Sequence, residues 1–510
     1  MELLSDVSAV AGQRFDHVIV GGGCIGTVLA HTLLDRDPRA RVLILEQGPV
    51  LLESHVQDLT PDRQTLMETA VATPWRPSGD LDLAGQVPFL GGRASFWSGW
   101  TPQPRPEQLR EWPAQVVHDL EQYWAPARAL LGVRSAAQLF GPLHETVREQ
   151  VLRVLDDCPG LIAPATAAEL DACLASAPGV EGGDARRFSP VPVLRGLLRD
   201  HPDRLTVVTE CETVAIIRDG REAVALHTAG GDLPLQGARL LLANGTVEST
   251  RLALTTHPST PAGRNLNGHV GSWFACRVPR NALPSLPTSY QLGALYLDGG
   301  TTERQFHIQL IASATTNAAA DRAEIYRTVP ELSGADIMNQ LADDEHVVFL
   351  VRGLGEISTD GPAISPVAVR LGADGLPEVD VRLDPPDLRM WSALDTALDA
   401  LVANLFAGTP VEYWCAARQQ WTTELPDDRR QPFLMHEAGT LWLGEDPETS
   451  VTNLDGRLHD LDNVYVATAA AFPTEGSWNP TLTMVAMALR LARHLTSEHA
   501  SPATALTLVA

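Results

Sequence analysis

The chain has 510 residues and a formal net charge of −25, and all 38 of its basic residues are arginine. Such an acidic surface repels nucleic-acid phosphates and anionic lipid headgroups, so we expect neither nucleic acid nor a membrane among its partners. Because lysine is absent, chemistry that needs a lysine amine is excluded, such as a Schiff base or the phosphate-binding lysine of a P-loop.

The cysteines are scattered, at Cys24, Cys158, Cys173, Cys211, Cys276 and Cys415. They form no CxxC pair and no metal-ligand spacing, which favours reduced thiols over a disulfide framework, and we predict no metal site. Residues 1–15 lack a basic region followed by an apolar one, and no apolar run reaches the ~18 residues of a membrane helix. We therefore expect a cytoplasmic protein.

The N-terminal residues predict a βαβ unit. Residues 16–20 read as a short buried strand, a glycine-rich turn follows, and residues 27–34 have helical periodicity. Residues 41–46 read as a second buried strand. Two strands joined by a helix run parallel, so the unit indicates a parallel sheet.

The middle of the chain carries further helices and strands. Apolar residues recur at helical spacing across 106–133, which predicts one long amphipathic helix. Residues 205–208 and 214–217 read as strands, and a hairpin is expected around Gly230. Residues 238–245 read as a buried strand that ends in a turn.

The C-terminal half adds a different kind of sheet. Short alternating segments across 270–380 predict an antiparallel sheet, followed by a helix at 387–406. A strand at 464–467 and a helix at 482–495 close the pattern. The predicted fold class is α/β (α+β overall), with a Rossmann-like domain and a second domain built on an antiparallel sheet plus helices.

Residues 21–26 have the spacing G-x-G-x-x-G of a dinucleotide-binding turn. Gly21 permits the tight turn, Gly23 lets the backbone approach a pyrophosphate, and Gly26 lets the helix pack closely on the strand. Cys24 and Ile25 lie within this turn, and the N-terminus of the helix that follows offers free N–H groups to a pyrophosphate. The turn alone would also suit simple helix packing, but the flanking strands favour a dinucleotide.

Two further features favour FAD over NAD. Glu46 ends the second strand, at the distance expected for an acid that accepts hydrogen bonds from an adenosine ribose. The chain then leaves on a long insertion and meets a second glycine turn at Gly91 and Gly92, which can support an isoalloxazine ring. We predict a discontinuous FAD-binding domain and separate flavin-covering and substrate-binding regions. The first comprises residues 1–50, 200–268 and 432–500, and the second 51–199 and 269–431.

Three blocks of the sequence resemble the glucose-methanol-choline (GMC) oxidoreductases: residues 21–26, 91–98 and 463–483. The segment 91–98, Gly-Gly-Arg-Ala-Ser-Phe-Trp-Ser, is most similar to the pyranose 2-oxidase and bacterial glycoside oxidase branch. In that branch a histidine of this segment bonds covalently to the flavin. The matching residue here is Phe96, so the resemblance implies non-covalent FAD.

The resemblance also implies further cofactor-binding residues. Ser98 matches a hydroxyl residue near flavin N5, and Val214 lies on the strand that contacts adenine through its backbone in the family. Ala243 and Asn244 match the strand end that helps to bind the ADP part. The other residues implied in this way are Arg93, Trp97, Pro480, Thr481, and the pair Thr468 and Ala469, which replaces the family's usual Asp-Gly pair.

A catalytic pair is implied by the same family pattern. His436 opens the segment His-Glu-Ala-Gly-Thr, which matches the H-x-x-G-T segment of the family's catalytic histidine, and Asn479 matches its partner. Hydride transfer from an alcohol carbon leaves a proton on oxygen, and a histidine with a usual pKa of ~6.5 can remove it. Asn479 can hold the same oxygen through a hydrogen bond.

The resemblance implies an FAD-dependent enzyme that oxidises a hydroxyl of a sugar, glycoside or other alcohol to a carbonyl. The electrons then pass to dioxygen or another acceptor, and an oligomer is compatible with the sequence. Two alternatives stay open: a GMC-fold lyase or other non-redox enzyme with structural FAD, and an NAD-dependent dehydrogenase. Trp100 and Trp478 flank the flavin-facing segments and are weak candidates for stacking on the substrate, because ordinary packing is the favoured explanation of both.

Overall fold

The computed structural model describes residues 3–60, 65–177, 186–256, 261–283, 286–332, 335–358 and 366–497. Each of the five predicted domain ranges includes some residues outside these stretches, and residues 1–2 of the N-terminal segment also lie outside them.

The strands follow one another along the chain with short connections in most places. They are β1 His17–Val20, β2 Val42–Leu45, β3 Arg76–Gly79, β4 Asp82–Leu83, β5 Arg134–Ser135, β6 Cys173–Leu174, β7 Leu205–Val208, β8 Thr213–Asp219, β9 Glu222–Thr228, β10 Gly231–Pro234, β11 Arg239–Leu242, β12 Asn267–Pro279, β13 Gln291–Gly300, β14 Gln305–Ala314, β15 His346–Ile357, β16 Val369–Leu371, β17 Pro377–Val381, β18 Glu412–Cys415, β19 Gln420–Thr422, β20 Arg430–Ala438 and β21 Val464–Val466.

The helices lie mainly between the sheets and on their outer faces. They are α1 Cys24–Arg36, α2 Thr65–Ala70, α3 Ala114–Leu120, α4 Trp124–Leu130, α5 Ala136–Leu139, α6 Pro142–Val154, α7 Pro190–Asp200, α8 Thr246–Thr256, α9 Ala318–Thr328, α10 Ala335–Gln340, α11 Pro385–Leu405 and α12 Thr481–Ser497.

A parallel sheet contains the N-terminal βαβ unit. Its strand order is β21-β11-β1-β2-β7, and each neighbouring pair is parallel. Strands β1, β2 and β21 are buried along their whole length, which explains why they read as continuous apolar runs. Helix α1 packs against α12 beside this sheet. The predicted Rossmann-like domain is confirmed.

A larger sheet of eight strands, most of them antiparallel, forms a second layer of the molecule. Its order is β13-β14-β15-β12-β18-β19, and β20 pairs with both β12 and β4. Helices α6 and α11 pack against it and share one buried apolar cluster with its strands. This sheet confirms the predicted fold class. Because β20 continues across the predicted boundary between residues 431 and 432, the sheet reaches into the range assigned to the FAD-binding domain, and the domain division stays a prediction.

The single long helix predicted over 106–133 is wrong. A short 3₁₀ helix at Pro106–Leu109 is followed by the separate helices α3 and α4. Pro126 lies in the first turn of α4, where its missing N–H costs nothing. In an uninterrupted helix its ring would collide with the carbonyl of Gln122, so the chain turns between the two helices.

No helix in the described stretches is both long enough and apolar enough to cross a bilayer. The six cysteines, all of which are described, are free thiols. The cytoplasmic location stays a prediction.

Candidate active site

Residues 21–26 connect β1 to α1 by a turn with no room for a side chain at Gly21 or Gly26. Gly21 has a φ of +104°, and a Cβ on it would lie 2.6 Å from the carbonyl oxygen of Ala243. A Cβ on Gly26 would lie 2.0 Å from the carbonyl oxygen of Gly21. Helix α1 begins at Cys24, and no side chain caps its N-cap residue, Gly23. Its first N–H groups are therefore directed at whatever occupies the space beyond the turn.

The second glycine turn lies directly against the first. The N–H of Gly91 donates to the carbonyl of Gly22 over 3.0 Å, and Gly23 and Gly91 form a parallel bridge. Gly91 has a φ of +99°, and a Cβ on it would lie 2.3 Å from Ser95 Oγ. Two turns that are far apart in the sequence thus form one wall of backbone.

Glu46 closes the far end of this wall. Its carboxylate accepts the N–H of Gly22 at 2.8 Å and the N–H of Gly48 at 3.1 Å. Burial raises the pKa of Glu46, while these backbone hydrogen bonds oppose the shift. The carboxylate therefore fixes the glycine turn as well as facing the space where a ribose is expected.

A cavity of about 750 Å³ runs along both turns and reaches the end of β20. This volume is typical of a site for a cofactor or similar ligand (roughly 300–1,000 Å³). The predicted cofactor-binding and catalytic residues that line it are Gly21, Gly23, Cys24, Ile25, Glu46, Gly92, Arg93, Trp97, Ser98, Ala243, Asn244, His436, Thr468, Ala469, Asn479, Pro480 and Thr481, and the candidate substrate residue Trp100 lines it as well.

The residues of this wall fit FAD. The glycine backbone and the N-terminus of α1 suit a pyrophosphate, and Glu46 suits the adenosine ribose. Segment 92–98 and the start of α12 line the other part of the cavity, where the isoalloxazine ring is expected. Phe96 also lines it, and its phenyl ring has no atom that can bond covalently to a flavin.

Four predicted residues lie behind the cavity wall or outside it. Gly26 and Gly91 support the turns from behind. Val214 is 36% exposed, and its carbonyl accepts a hydrogen bond of 2.6 Å from Arg251. Its neighbour Thr213 lines the cavity instead, so this strand meets the cofactor space one residue earlier than expected.

Trp478 is the fourth of these residues. It is 1% exposed, and a Cβ on Gly476 would lie 2.0 Å from its ring, so the indole is held against the backbone. The structure gives no support to the idea that it stacks on a substrate. Trp100 lines the cavity, but its indole N–H donates to the carbonyl of Pro330 at 2.9 Å.

His436 lies at a bulge near the end of β20. Between Met435 and Ala438 this strand has one residue more than β12 has between His269 and Asn267. His436 itself has a φ of +56°, a left-handed conformation that is uncommon outside glycine and concentrated at functional sites. The bulge redirects the His436 side chain toward the cavity, as bulges beside active sites often do.

The surroundings of His436 keep its ring neutral. Burial is the largest cause that holds the pKa of His436 well below its usual range, followed by His269, Arg352 and Arg93. Its Nδ1 lies 2.9 Å from Nδ1 of His269. A neutral ring with one nitrogen free can accept a proton, which is what a base must do.

Asn479 is held from behind by β14. Its side-chain oxygen accepts a hydrogen bond of 3.0 Å from Nε2 of Gln309, which also lies 3.2 Å from Nε2 of His307. Asn479 also lines the cavity, so its amide nitrogen is a candidate donor to a bound ligand. His436 and Asn479 therefore offer complementary groups, an acceptor and a donor, to the same cavity.

Arg93 pairs with the acid that follows the histidine. Its guanidinium makes two hydrogen bonds, of 2.7 and 2.9 Å, to the carboxylate of Glu437. Glu437 is buried, whereas the side chain of Arg93 is 44% exposed. The pair ties the second glycine turn to β20.

Sequence reasoning did not identify His269, His307, Gln309 or Arg352. His307 and Gln309 are two residues apart in an apolar strand, so they share one face, and this polar pair was a signal that could have been used. His269 and Arg352 carry no such signal, because they reach His436 only through the register of β12 and β15.

We predicted no metal site, but the described residues contain one group of side chains that could bind a metal ion. His269, His436 and Glu475 have ligand atoms within 4.8 Å of one another. Both ring nitrogens of His269 are already in hydrogen bonds, with His436 and with the carbonyl of Gly476. The two histidines of the group are thus hydrogen-bonded to each other, whereas the carboxylate of Glu475 lies 3.8 Å from Nε2 of His269 and is not hydrogen-bonded to it.

Residues 368–488 match the C-terminal model of the family described as GMC oxidoreductase, a range that contains both His436 and Asn479. The chain is 24% identical to a C-glycoside 3-oxidase of Arthrobacter globiformis, over 96% of this chain and 97% of the relative. It is 34% identical to the paromamine 6'-oxidase of Streptomyces fradiae, over 26% of this chain. It is 44% identical to the 6'''-hydroxyparomomycin C oxidase of Streptomyces lividus, over 13% of this chain. The aligned parts span only 22% and 12% of the latter two relatives.

Solved structures show the same fold. A pyridoxine 4-oxidase from Mesorbium loti superimposes with a TM-score of 0.60 at 18% identity, over 94% of this chain and 99% of that one. A formate oxidase superimposes with a TM-score of 0.61 at 16% identity, over 96% of this chain and 99% of that one. The chain therefore contains the C-terminal domain of the GMC oxidoreductases, and it is an FAD-dependent oxidoreductase.

Proposed function

We propose that this enzyme oxidises a ring hydroxyl of a sugar or glycoside to a carbonyl, with His436 as the base. The observation that carries the proposal is that His436 and Asn479 line the same cavity as the two glycine turns. One end of that cavity suits a dinucleotide and the other end suits a hydroxyl that loses a proton.

The proposed reaction divides between carbon and oxygen. The C–H bond breaks with its electron pair, the O–H bond breaks as a proton, and a C=O bond forms. FAD, when bound, supplies the acceptor for the hydride. Nε2 of His436 takes the hydroxyl proton, and the amide nitrogen of Asn479 donates a hydrogen bond to the oxygen as negative charge develops on it.

The outer part of the cavity supports a sugar-like substrate. Trp97 and Trp273 line it and offer aromatic surface, and Gln431 offers an amide. Arg352 and Glu331 form an ion pair of 3.1 Å at its wall. Apolar faces combined with a few directed polar groups suit a pyranose ring. The alignment over 97% of a C-glycoside 3-oxidase supports the same substrate class.

The cofactor roles follow the placement of the predicted residues. We propose that residues 21–26 and Glu46 hold the adenosine diphosphate part of FAD. The segment 92–98, with Thr468, Ala469 and the start of α12, holds the flavin. Phe96 makes the attachment non-covalent. Acid precipitation should then release the yellow chromophore into the supernatant, whereas flavin that stays with the precipitate would show a covalent bond.

An anaerobic reduction screen tests the activity. The FAD-loaded enzyme is mixed without oxygen with sugars, glycosides and simple alcohols, and the flavin absorbance is followed. Bleaching by at least one sugar or glycoside is expected. If no alcohol bleaches the flavin, the proposal is wrong. That result would favour the alternative of a lyase or other non-redox enzyme with structural FAD.

The second substrate is the electron acceptor. Dioxygen and quinone-like acceptors are both compatible with the site. Hydrogen peroxide formed in air with the best substrate would identify dioxygen as the acceptor. Turnover only with an added dye or quinone would identify a dehydrogenase.

A further inference from the structure

The buried side of His436 faces a second histidine. His269, on β12, is completely buried, and its Nδ1 lies 2.9 Å from Nδ1 of His436. Its other nitrogen, Nε2, lies 2.9 Å from the carbonyl oxygen of Gly476. Both nitrogens of His269 are thus in hydrogen bonds, and each bond needs one donor and one acceptor.

These two contacts fix where the hydrogens lie. A carbonyl oxygen can only accept, so Nε2 of His269 must carry the hydrogen that it donates to Gly476. Burial lowers the pKa of His269 to about 3, so its ring is neutral and its Nδ1 has a lone pair. The hydrogen between the two rings therefore belongs to Nδ1 of His436, which leaves Nε2 of His436 as the unprotonated nitrogen.

We propose that His269 is a positioning residue that holds His436 in the Nδ1-protonated tautomer and so directs the lone pair of Nε2 at the substrate hydroxyl. This inference rests on the proposed function, in which His436 takes the hydroxyl proton. The carbonyl of Gly476, the ring of His269 and the ring of His436 form one chain of hydrogen bonds.

The same arrangement serves His436 after it has taken the proton. A protonated His436 still donates from Nδ1 to His269, so no hydrogen bond has to be exchanged during the reaction. The groups facing His436 from the elements packed against it are His269 on β12, His307 on β14, Arg352 on β15 and Arg93 beside the second glycine turn. Glu475 lies 3.8 Å from Nε2 of His269, which is too long for a hydrogen bond.

Three substitutions of His269 separate its two hydrogen bonds. In His269→Asn the amide oxygen can replace Nδ1 as acceptor for His436. In His269→Gln the amide nitrogen can replace Nε2 as donor to Gly476, and the acceptor is lost. In His269→Phe both are lost. Each variant is purified with FAD. The rate of anaerobic flavin reduction at saturating substrate and the KM are then each compared with the wild-type values.

The inference predicts a loss of rate at little-changed KM. His269→Phe should reduce flavin at least about 10²-fold more slowly, with an upper bound near the ~10⁴-fold loss that a wrongly protonated catalytic histidine causes in serine proteases. The rate of flavin reduction in His269→Asn should exceed the rate in His269→Gln by about tenfold, which is the effect of one buried hydrogen bond. Equal rates for the Asn and Gln variants would overturn the inference, even if His269→Phe fails to fold.

A matched control measures the cost of removing a buried histidine elsewhere. His144 is also completely buried and is bonded to Asp171 at 2.9 Å, on the other side of the antiparallel sheet system. His144→Asn should lower stability while its rate per bound flavin stays that of the wild type. A loss of rate equal to that of His269→Phe would show a general folding effect and contradict the positioning role.

Neutron diffraction of deuterium-exchanged crystals at neutral pH reads the hydrogens without any substrate. Deuterium is expected on Nδ1 of His436 and on Nε2 of His269. Deuterium on Nε2 of His436 would overturn the inference. If the hydrogens are as expected but no alcohol reduces the flavin, the proposed function fails while the tautomer assignment stands.

Discussion

The two ends of the cavity are built in different ways. The cofactor end consists of backbone: two glycine turns joined by the hydrogen bond from Gly91 to Gly22, and the free N-terminus of α1. The substrate end consists of side chains, most of them from four strands of the antiparallel sheet, with His436 on β20 backed by His269 on β12 and with Asn479 before α12.

This difference separates two kinds of constraint. The backbone wall has no room for a Cβ at Gly21 or Gly26, because the added atom would collide with a carbonyl oxygen of the chain. A side-chain network tolerates shape changes better, but it depends on which nitrogen holds each hydrogen. Substitutions at the cofactor end should therefore affect folding and FAD content, and substitutions at the substrate end should affect rate and pH dependence.

The largest effect is expected at the cofactor end. Gly26→Ala places a Cβ 2.0 Å from the carbonyl oxygen of Gly21, so the turn must open. We expect a loss of at least ~3 kcal/mol in the free energy of unfolding, at the upper end of overpacking effects, and protein without FAD. Gly12→Ala is the control, because no atom lies within 4 Å of its Cβ, and it should change stability by less than ~0.5 kcal/mol. A Gly26→Ala protein with a full complement of FAD would show that the backbone wall is not rigid.

A smaller effect per residue is expected from acid, and it arises at the substrate end. Burial lowers the pKa of His269 to about 3 and holds the pKa values of His307 and His436 well below the usual range. Below pH ~6.5 the unfolded chain binds protons at these residues and the folded chain does not, so stability falls as the pH falls. The expected slope is ~1.4 kcal/mol per pH unit for each histidine, until the folded pKa is reached.

Urea unfolding of the FAD-loaded enzyme between pH 7.5 and 5, at fixed FAD concentration, measures this slope. His307→Asn should lower it by the share of one histidine. A slope that is the same in His307→Asn as in the wild type would show that His307 is protonated in the folded protein.

The smallest effect is expected behind the wall. The indole N–H of Trp478 is buried without a hydrogen-bond partner among the described residues. The substitution Trp478→Phe therefore removes packing contacts but no hydrogen bond. We expect KM for the best sugar to change less than about twofold, as for substitutions away from the substrate. Trp97→Phe should raise KM more, because Trp97 lines the cavity. The reverse order would restore the idea that Trp478 stacks on the substrate.

The same contrast decides what the sequence could predict. The glycine turn, Glu46 and both sheets were predicted, because they follow from contiguous spacing and hydrophobic periodicity. The break at Pro126 was missed, although the proline itself marks it. The partners of His436 and Asn479 were missed for a different reason. His269, His307 and Arg352 meet them only after β12, β14 and β15 have paired in register, and a bulge in β20 has turned His436 toward the cavity.

The central claim is that His436 removes a hydroxyl proton while hydride leaves the same carbon. Anaerobic stopped-flow reduction, with a sugar deuterated at the oxidised carbon, tests it in the wild type and in His436→Asn. We predict slower reduction by the deuterated sugar in the wild type, and a loss of at least ~10²-fold in the variant at unchanged FAD content. A His436→Asn enzyme that reduces its flavin at the wild-type rate would contradict the account.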